Sequence, residues 1–183
     1  MKRSYILSMS AISALVLVCG VSFGDDDDEY AILKGQPGVA PVTNALYADE
    51  CGSCHFAYPP GLLPARSWNK ILNQLDDHFG DNAELGTDTR QELQSYLTDN
   101  SADKSTNRRS QKIMRSLSME SAPMRITDLR YFRHEHDEIP ARLVKANDKV
   151  ASLSHCNACH QHAKQGSFSE RHINIPGFGH WDD

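Results

Sequence analysis

The feature that most constrains this chain is a short pattern that occurs twice. The pattern C-x-x-C-H occupies residues 51–55 and again residues 156–160. Its thiols and imidazoles belong to Cys51, Cys54 and His55, and to Cys156, Cys159 and His160. Two thiols at this spacing can add to the two vinyl groups of one haem, and the histidine that follows binds the iron. We therefore predict two covalently bound haem c groups, with His55 and His160 as iron ligands.

Two other uses of the paired cysteines fit less well. Zinc modules that combine two such pairs keep them within roughly 15–20 residues, whereas Cys54 and Cys156 are far apart in the chain. Disulfides would suit an oxidising compartment, but they would leave both following histidines unexplained. A thioredoxin-like site would need strands around the pair, and the flanking sequence has no strand pattern. Haem attachment is the favoured interpretation.

Residues 1–24 have the layout of a secretory signal peptide. Lys2 and Arg3 precede an apolar stretch, and small residues close the segment at Gly24. The stretch is shorter than the ~20 apolar residues that a membrane-spanning helix needs, which argues against an anchor. We predict cleavage after Gly24 and export to the periplasm. The acidic and Gly/Pro-containing residues 25–42 are predicted to form a flexible leader.

The composition limits the classes of partner. Of the 183 residues, 39% are hydrophobic, which is enough for a folded core. The formal net charge is −5 at pH 7, opposite in sign to the basic surface that phosphate backbones attract. We therefore expect protein partners and no nucleic acid.

Residues 43–102 are predicted to form a first haem domain. Apolar residues from Trp68 to Phe79 recur at helical spacing, and a second helix is predicted over Asp88–Thr98. His78 shares the apolar face of the first of these helices. The segment contains no methionine, and His78 is its only histidine besides His55. We therefore predict His78 as the second axial ligand of the first haem.

Residues 103–183 are predicted to form a second haem domain, and the polar residues 99–110 are predicted to form a connector at its beginning. A helix predicted to begin at Thr127 carries Leu129 and Phe132, and His136 falls on their face. His136 is therefore the preferred second axial ligand, with His134 as the neighbouring alternative. Other histidines and methionines could also bind this iron, namely Met119, Met124, His162 and His172.

Several strings together resemble the small soluble dihaem cytochrome c family of electron-transport chains. They are ALYADECGSCHFAYPPGLLPARSW, LDDHFG, RITDLRYFRHEHDEI and SHCNACHQHAKQGSF, and they cover most of residues 42–176. The resemblance implies a mainly α fold, with a class I cytochrome c-like N-terminal haem domain and an irregular, loop-rich C-terminal haem domain. It also implies two bis-histidine haems, with His78 and His136 as the distal ligands.

The same resemblance implies electron transfer in the periplasm. The implied partners are redox proteins, such as a small oxygen-binding monohaem cytochrome c or a membrane cytochrome b. The alternative is a haem enzyme or a gas-binding haem protein, which would need one iron with an open or displaceable sixth position. The ligands of the two irons therefore decide between a carrier and an enzyme.

Overall fold

The computed structural model of the protein describes residues 38–181, which are rich in short helices and contain little strand. The predicted signal peptide, and residues 25–37 of the predicted leader, lie outside the described residues. Within the described range, no helix combines the length and the apolar character needed to cross a membrane.

Three helices form the first half: α1 over Ala45–Gly52, α2 over Ala65–Leu72 and α3 over Thr87–Asp99. Helix α1 begins where the Asn44 side chain accepts a hydrogen bond from the Tyr47 amide at 2.8 Å. Helices α2 and α3 pack against each other. The prediction of a helix over 88–98 is confirmed.

The predicted continuation of α2 to Phe79 is wrong. The helix ends at Leu72 and is followed by a short 3₁₀ turn over Leu75–Asp77. Phe79 and Gly80 then have φ angles of 61° and 105°, which no right-handed helix contains. His78 therefore lies in a tight turn and not on a helix face.

The second half is built from shorter elements. Its helices are α4 over Arg108–Ser116, α5 over Arg130–His134, α6 over Ala141–Val144 and α7 over Cys156–Cys159. Further 3₁₀ turns cover Ile126–Asp128, Ala163–Gln165 and Glu170–His172. Strands β1 over Asn174–Ile175 and β2 over Gly179–His180 pair antiparallel. The helix predicted to carry His136 ends at His134, so His136 lies just beyond α5.

The main hydrophobic core does not divide at the predicted domain boundary of 102/103. Leu97 of α3 belongs to the same buried cluster as Ile113 of α4 and Phe132 of α5. Residues 38–42 of the predicted leader are also packed, because Val39 is fully buried and its amide donates to the Gly166 carbonyl at 3.1 Å. A smaller cluster joins α6 to β1. The two halves therefore share the main core, and the smaller cluster belongs to the second half.

Candidate haem sites

The first site is a pair of histidine rings that face each other. His55 follows α1, and its imidazole centre is 6.2 Å from that of His78, with 19° between the ring planes. The Nδ1–H of His55 donates to the Phe56 carbonyl at 2.8 Å. This bond leaves Nε2 without its proton and available to a metal.

The turn that contains His78 is held by its own backbone. The His78 amide donates to the Asp81 carbonyl at 2.7 Å, and the Gly80 amide donates to the Asp77 carboxylate at 3.1 Å. Burial, followed by the nearby His55, lowers the pKa of His78. Both effects favour the neutral imidazole, which is the form that binds metal.

The second site pairs His136 with His160. Their ring centres are 6.1 Å apart, and their planes are inclined by 74°. The His136 ring stacks on Phe132 with centres 3.9 Å apart, and its Nδ1–H donates to the Phe132 carbonyl at 2.8 Å. His134 points away, since its side chain is 79% exposed and its Nδ1 is 3.8 Å from the Asp137 carboxylate. Of the two neighbouring histidines, His136 is therefore the one brought to His160.

The second pair of rings lines a cavity together with the thiols of Cys156 and Cys159. Its other walls are largely apolar and include Leu129, Phe132, Ile139, Leu143, Val150, Phe168 and Ile175. Burial, together with His136 and Arg109, lowers the pKa of His160 to about 3. The cavity thus presents a neutral imidazole and two thiols to a space whose walls are mainly, though not entirely, apolar.

The rival ligands predicted from the sequence do not line this cavity. Met119 is 92% exposed, and Met124 packs against the main core. The rings of His162 and His172 are 4.5 Å apart and contact each other. The arrangement therefore favours His136 as the partner of His160.

The spacing of both ring pairs fits one metal ion between each. Imidazole nitrogen binds a metal at about 2.0–2.1 Å, so two imidazoles on opposite sides of one ion have their nitrogens about 4 Å apart. The ring centres lie behind those nitrogens, which places them about 6 Å apart, as both pairs are. The residues present fit two irons with an imidazole on each side.

The cysteines do not fit the two other uses considered for them. Burial and then Glu50 raise the pKa of Cys51 to about 11, and burial above all raises that of Cys156 to about 11. Redox-active thiols in C-x-x-C pairs instead have lowered pKa values. Within residues 38–181, no group of three or more histidine, cysteine or acidic side chains is placed to hold a metal ion. The two cysteine pairs therefore do not combine into a zinc site.

Two further residues belong to the sites, and the burial of the second, Arg109, was not predicted from the sequence. The Tyr58 ring stacks on His55 at 5.1 Å, and its hydroxyl donates to the Ser154 carbonyl at 2.8 Å, two residues before the second motif. Arg109 lies in the wall of the second cavity and is only 9% exposed. Its position four residues before the buried Ile113 is the signal that could have placed it on the inner face of α4.

Residues 47–168 match the family model of dihaem cytochrome c. This chain belongs to the dihaem cytochrome c family. The cytochrome is similar to a solved dihaem cytochrome c from Shewanella baltica OS155, with 43% identity and a TM-score of 0.64, over 76% of this chain and 98% of that one. It is also similar to the dihaem cytochrome c of Rhodobacter sphaeroides, with 40% identity and a TM-score of 0.64, over 71% of this chain and 100% of that one. A comparison with curated proteins gives no match.

Membership of the family confirms the predicted cofactors, because its members carry two covalently bound haem c groups with iron. It also confirms the helix-rich fold expected from the resemblance. The described chain offers two places with the required chemistry, and in each of them a C-x-x-C-H segment faces one further histidine.

Proposed function

We propose that this cytochrome carries electrons between redox proteins through two bis-histidine haems. Cys51 and Cys54 would attach the first haem, with His55 and His78 as its axial ligands. The second haem would be attached and ligated by Cys156, Cys159, His160 and His136. When bound, each haem supplies an iron that gains and loses one electron.

The observation that carries this proposal is the spacing of about 6 Å in both ring pairs. An imidazole on each side would occupy both axial positions and leave none for a substrate. Nδ1 hydrogen bonds from His55 and His136 to backbone carbonyls hold these two rings in place. Ligands held in this way need not move when the charge of the site changes, which suits a carrier.

The two halves would contribute differently to the carrier. Residues 43–102, with α1, α2 and α3 around the first motif, would form the class I cytochrome c-like unit implied by the resemblance. Residues 103–183 would form the irregular haem unit, and the short helices of its described part support this assignment. The contact from Tyr58 to Ser154 joins the two attachment segments directly.

The proposed place of action is the periplasm. Its support is the predicted signal peptide over residues 1–24, together with the covalent attachment of haem c to paired cysteines of the protein. The partners we propose are redox proteins, in the class of a monohaem oxygen-binding cytochrome c or a membrane cytochrome b. The net charge of −5 would favour a basic docking face on such a partner.

Optical and EPR spectra of the purified protein, with carbon monoxide added to the ferrous form, test the proposal. A carrier with two bis-histidine haems should be fully low-spin and bind carbon monoxide slowly or not at all. A high-spin fraction with rapid binding would instead support the haem enzyme or gas-binding alternative.

A further inference from the structure

Arg109 is an unusual residue in the wall of the second haem cavity. Among residues 38–181 it is the only charged residue that is buried. Its Nη1 donates to the Tyr131 hydroxyl at 2.8 Å, and its Nη2 donates to the Phe168 carbonyl at 3.3 Å. Another close partner is Glu135, whose carboxylate oxygen is 3.5 Å from Nη1. The two charged side chains are 11% and 14% exposed.

Both members of this ion pair line the cavity that also holds the His136 and His160 rings. The Arg109 guanidinium is 5.8 Å from the Phe168 ring centre, and that ring is 5.2 Å from the His160 ring. Glu135 immediately precedes His136 in the chain, and both charged residues line the cavity. One aromatic ring, Phe168, therefore lies between the Arg109 guanidinium and the His160 imidazole, and Glu135 lies in the wall of the same cavity.

Burying such a pair is costly, because removal of two ions from water often outweighs their mutual attraction. In the described part of the chain, the first site has no such buried pair. The charged groups that act on His78, Asp81 and Arg125, are both exposed, and Arg125 lies over the Phe79 ring at 4.0 Å. Among the described residues, only the second site carries this desolvation cost. The pair is therefore expected to act on the second haem.

We propose that the Arg109–Glu135 pair sets the reduction potential of the second haem relative to the first. The inference rests on the proposed electron-carrier function. An iron site is more positive when oxidised, so a fixed positive charge beside it favours the reduced form and a fixed negative charge favours the oxidised form. Burial makes both effects strong and only weakly screened by salt.

The test is a redox titration of the haem-loaded full chain, with EPR of partly reduced samples to identify which haem changes. Arg109→Gln should lower the equilibrium constant for reduction of the second haem by about tenfold, equivalent to about 59 mV for one electron. Glu135→Gln should shift the same haem in the opposite direction. Arg109→Lys, which retains the charge, should restore most of the original potential.

Arg108→Gln is the matched control, since this neighbour in α4 is exposed. Its effect should be smaller and should fade at high salt, whereas the effect of Arg109→Gln should persist. Equal shifts for the two arginine variants would overturn the proposal. Shifts of the same sign for Arg109→Gln and Glu135→Gln would also overturn it, since they would indicate distortion. If Arg109→Gln fails to fold, the other two variants still test the proposal. Glu135→Gln should shift the potential of the second haem, and Arg109→Lys should leave most of that potential unchanged.

The outcome is separable from the test of the carrier function. A wild-type protein that is low-spin and inert to carbon monoxide, but whose potentials ignore these substitutions, would refute only the role of the ion pair. A wild-type protein with an open iron would refute the carrier function whatever the substitutions do.

Discussion

The two haem sites begin with the same C-x-x-C-H segment and differ in almost everything that surrounds it. In the first, the two rings are nearly parallel at 19°, and in the second they are inclined by 74°. His78 is held by a surface turn, whereas His160 lines a cavity with apolar walls. The motif therefore specifies the two cysteines and one histidine, while the segment that supplies the facing histidine decides the environment of each site.

The charges near the two sites differ in the same way. Arg125 lies over Phe79 beside the first site and is exposed to water, so its field is screened. The side chains of Arg109 and Glu135, beside the second site, are only 11% and 14% exposed. Two haems in one small protein can therefore have different properties although their four expected ligands are all histidines.

Removal of one attachment pair should have the largest effect. Cys156→Ala with Cys159→Ala should leave one haem per denatured chain, because thioether bonds need both thiols of a motif. Mass spectrometry and pyridine haemochrome absorbance measure the ratio. The reciprocal change, Cys51→Ala with Cys54→Ala, should also leave one. A wild-type protein that holds zinc and no haem would contradict both expectations.

Removal of a distal ligand should open one site only. His78→Ala and His136→Ala should each give one high-spin haem that binds carbon monoxide, measured by EPR and by rapid mixing. Binding should be faster in His78→Ala, because the second site is more enclosed. His134→Ala is the control and should be nearly silent, since that ring is exposed. An opened second site in His134→Ala would assign the ligand to that residue instead.

The positions of His78 and His136 in the structure show what sequence periodicity can and cannot predict. The apolar spacing correctly predicted that α3 exists and that α2 buries Trp68 and Ile71. It failed where the chain leaves the helix, because α2 ends before His78 and α5 ends before His136. Both rings nevertheless face a motif histidine. The turns that aim them depend on single backbone angles, such as the positive φ of Phe79, which periodicity does not encode.

Contacts between residues far apart in the sequence were the second feature that could not be predicted from it. The short motifs are local patterns and could be recognised without any structure. The burial of Val39 depends on a contact with Gly166, and that of Arg109 on contacts with Tyr131 and Phe168. The sequence assigned Val39 to the leader over residues 25–42 and Arg109 to the polar connector over residues 99–110. Both segments were expected to be solvated, because polar or glycine-containing segments usually are.

The ring angles predict two different low-spin EPR signals. Nearly parallel imidazoles align their π orbitals and split the iron d orbitals strongly, which gives a rhombic signal from the first haem. Nearly perpendicular imidazoles leave two of those orbitals close in energy, which gives a more anisotropic signal with a larger maximum g value from the second. Low-temperature EPR of the oxidised protein measures both. Two indistinguishable signals would mean that the sites have the same ligand geometry.

Because the two halves share the main core, a substitution at the contact between them should cause a moderate loss of stability. A Cβ on Gly61 would lie 2.8 Å from the Ser110 Oγ, whose hydroxyl donates to the Gly61 carbonyl at 2.8 Å. Gly61→Ala should therefore cost about 1–3 kcal/mol in the free energy of unfolding, measured by denaturant titration of the haem-loaded protein. Gly86→Ala is the control, because its Cβ would meet nothing within 4 Å, and it should cost less than about 1 kcal/mol. Equal costs would argue that the halves do not pack tightly.

The smallest expected effect concerns Asp103, which fastens the connector between the halves to the start of α2. Its Oδ1 accepts hydrogen bonds from the Ala65 amide at 2.8 Å and from the Ser101 hydroxyl at 2.7 Å. Partial burial alone would raise the pKa of Asp103, but these bonds outweigh it and lower the pKa below the ordinary value of an aspartate. Ionised Asp103 therefore stabilises the fold.

That contribution should be complete above the unfolded-state pKa near 3.8 and should be lost as the pH falls through the lower folded-state value. Asp103→Asn should reduce the free energy of unfolding by less than about 1 kcal/mol at pH 7, because the side chain is exposed and water competes for the same bonds. The difference from wild type should shrink below pH ~4, close to the ordinary aspartate pKa, in denaturant titrations at several pH values. Asp99→Asn, an exposed change at the end of α3, provides the matched control. A loss that stays constant down to pH ~3 would show that the Asp103 charge is not what holds the connector.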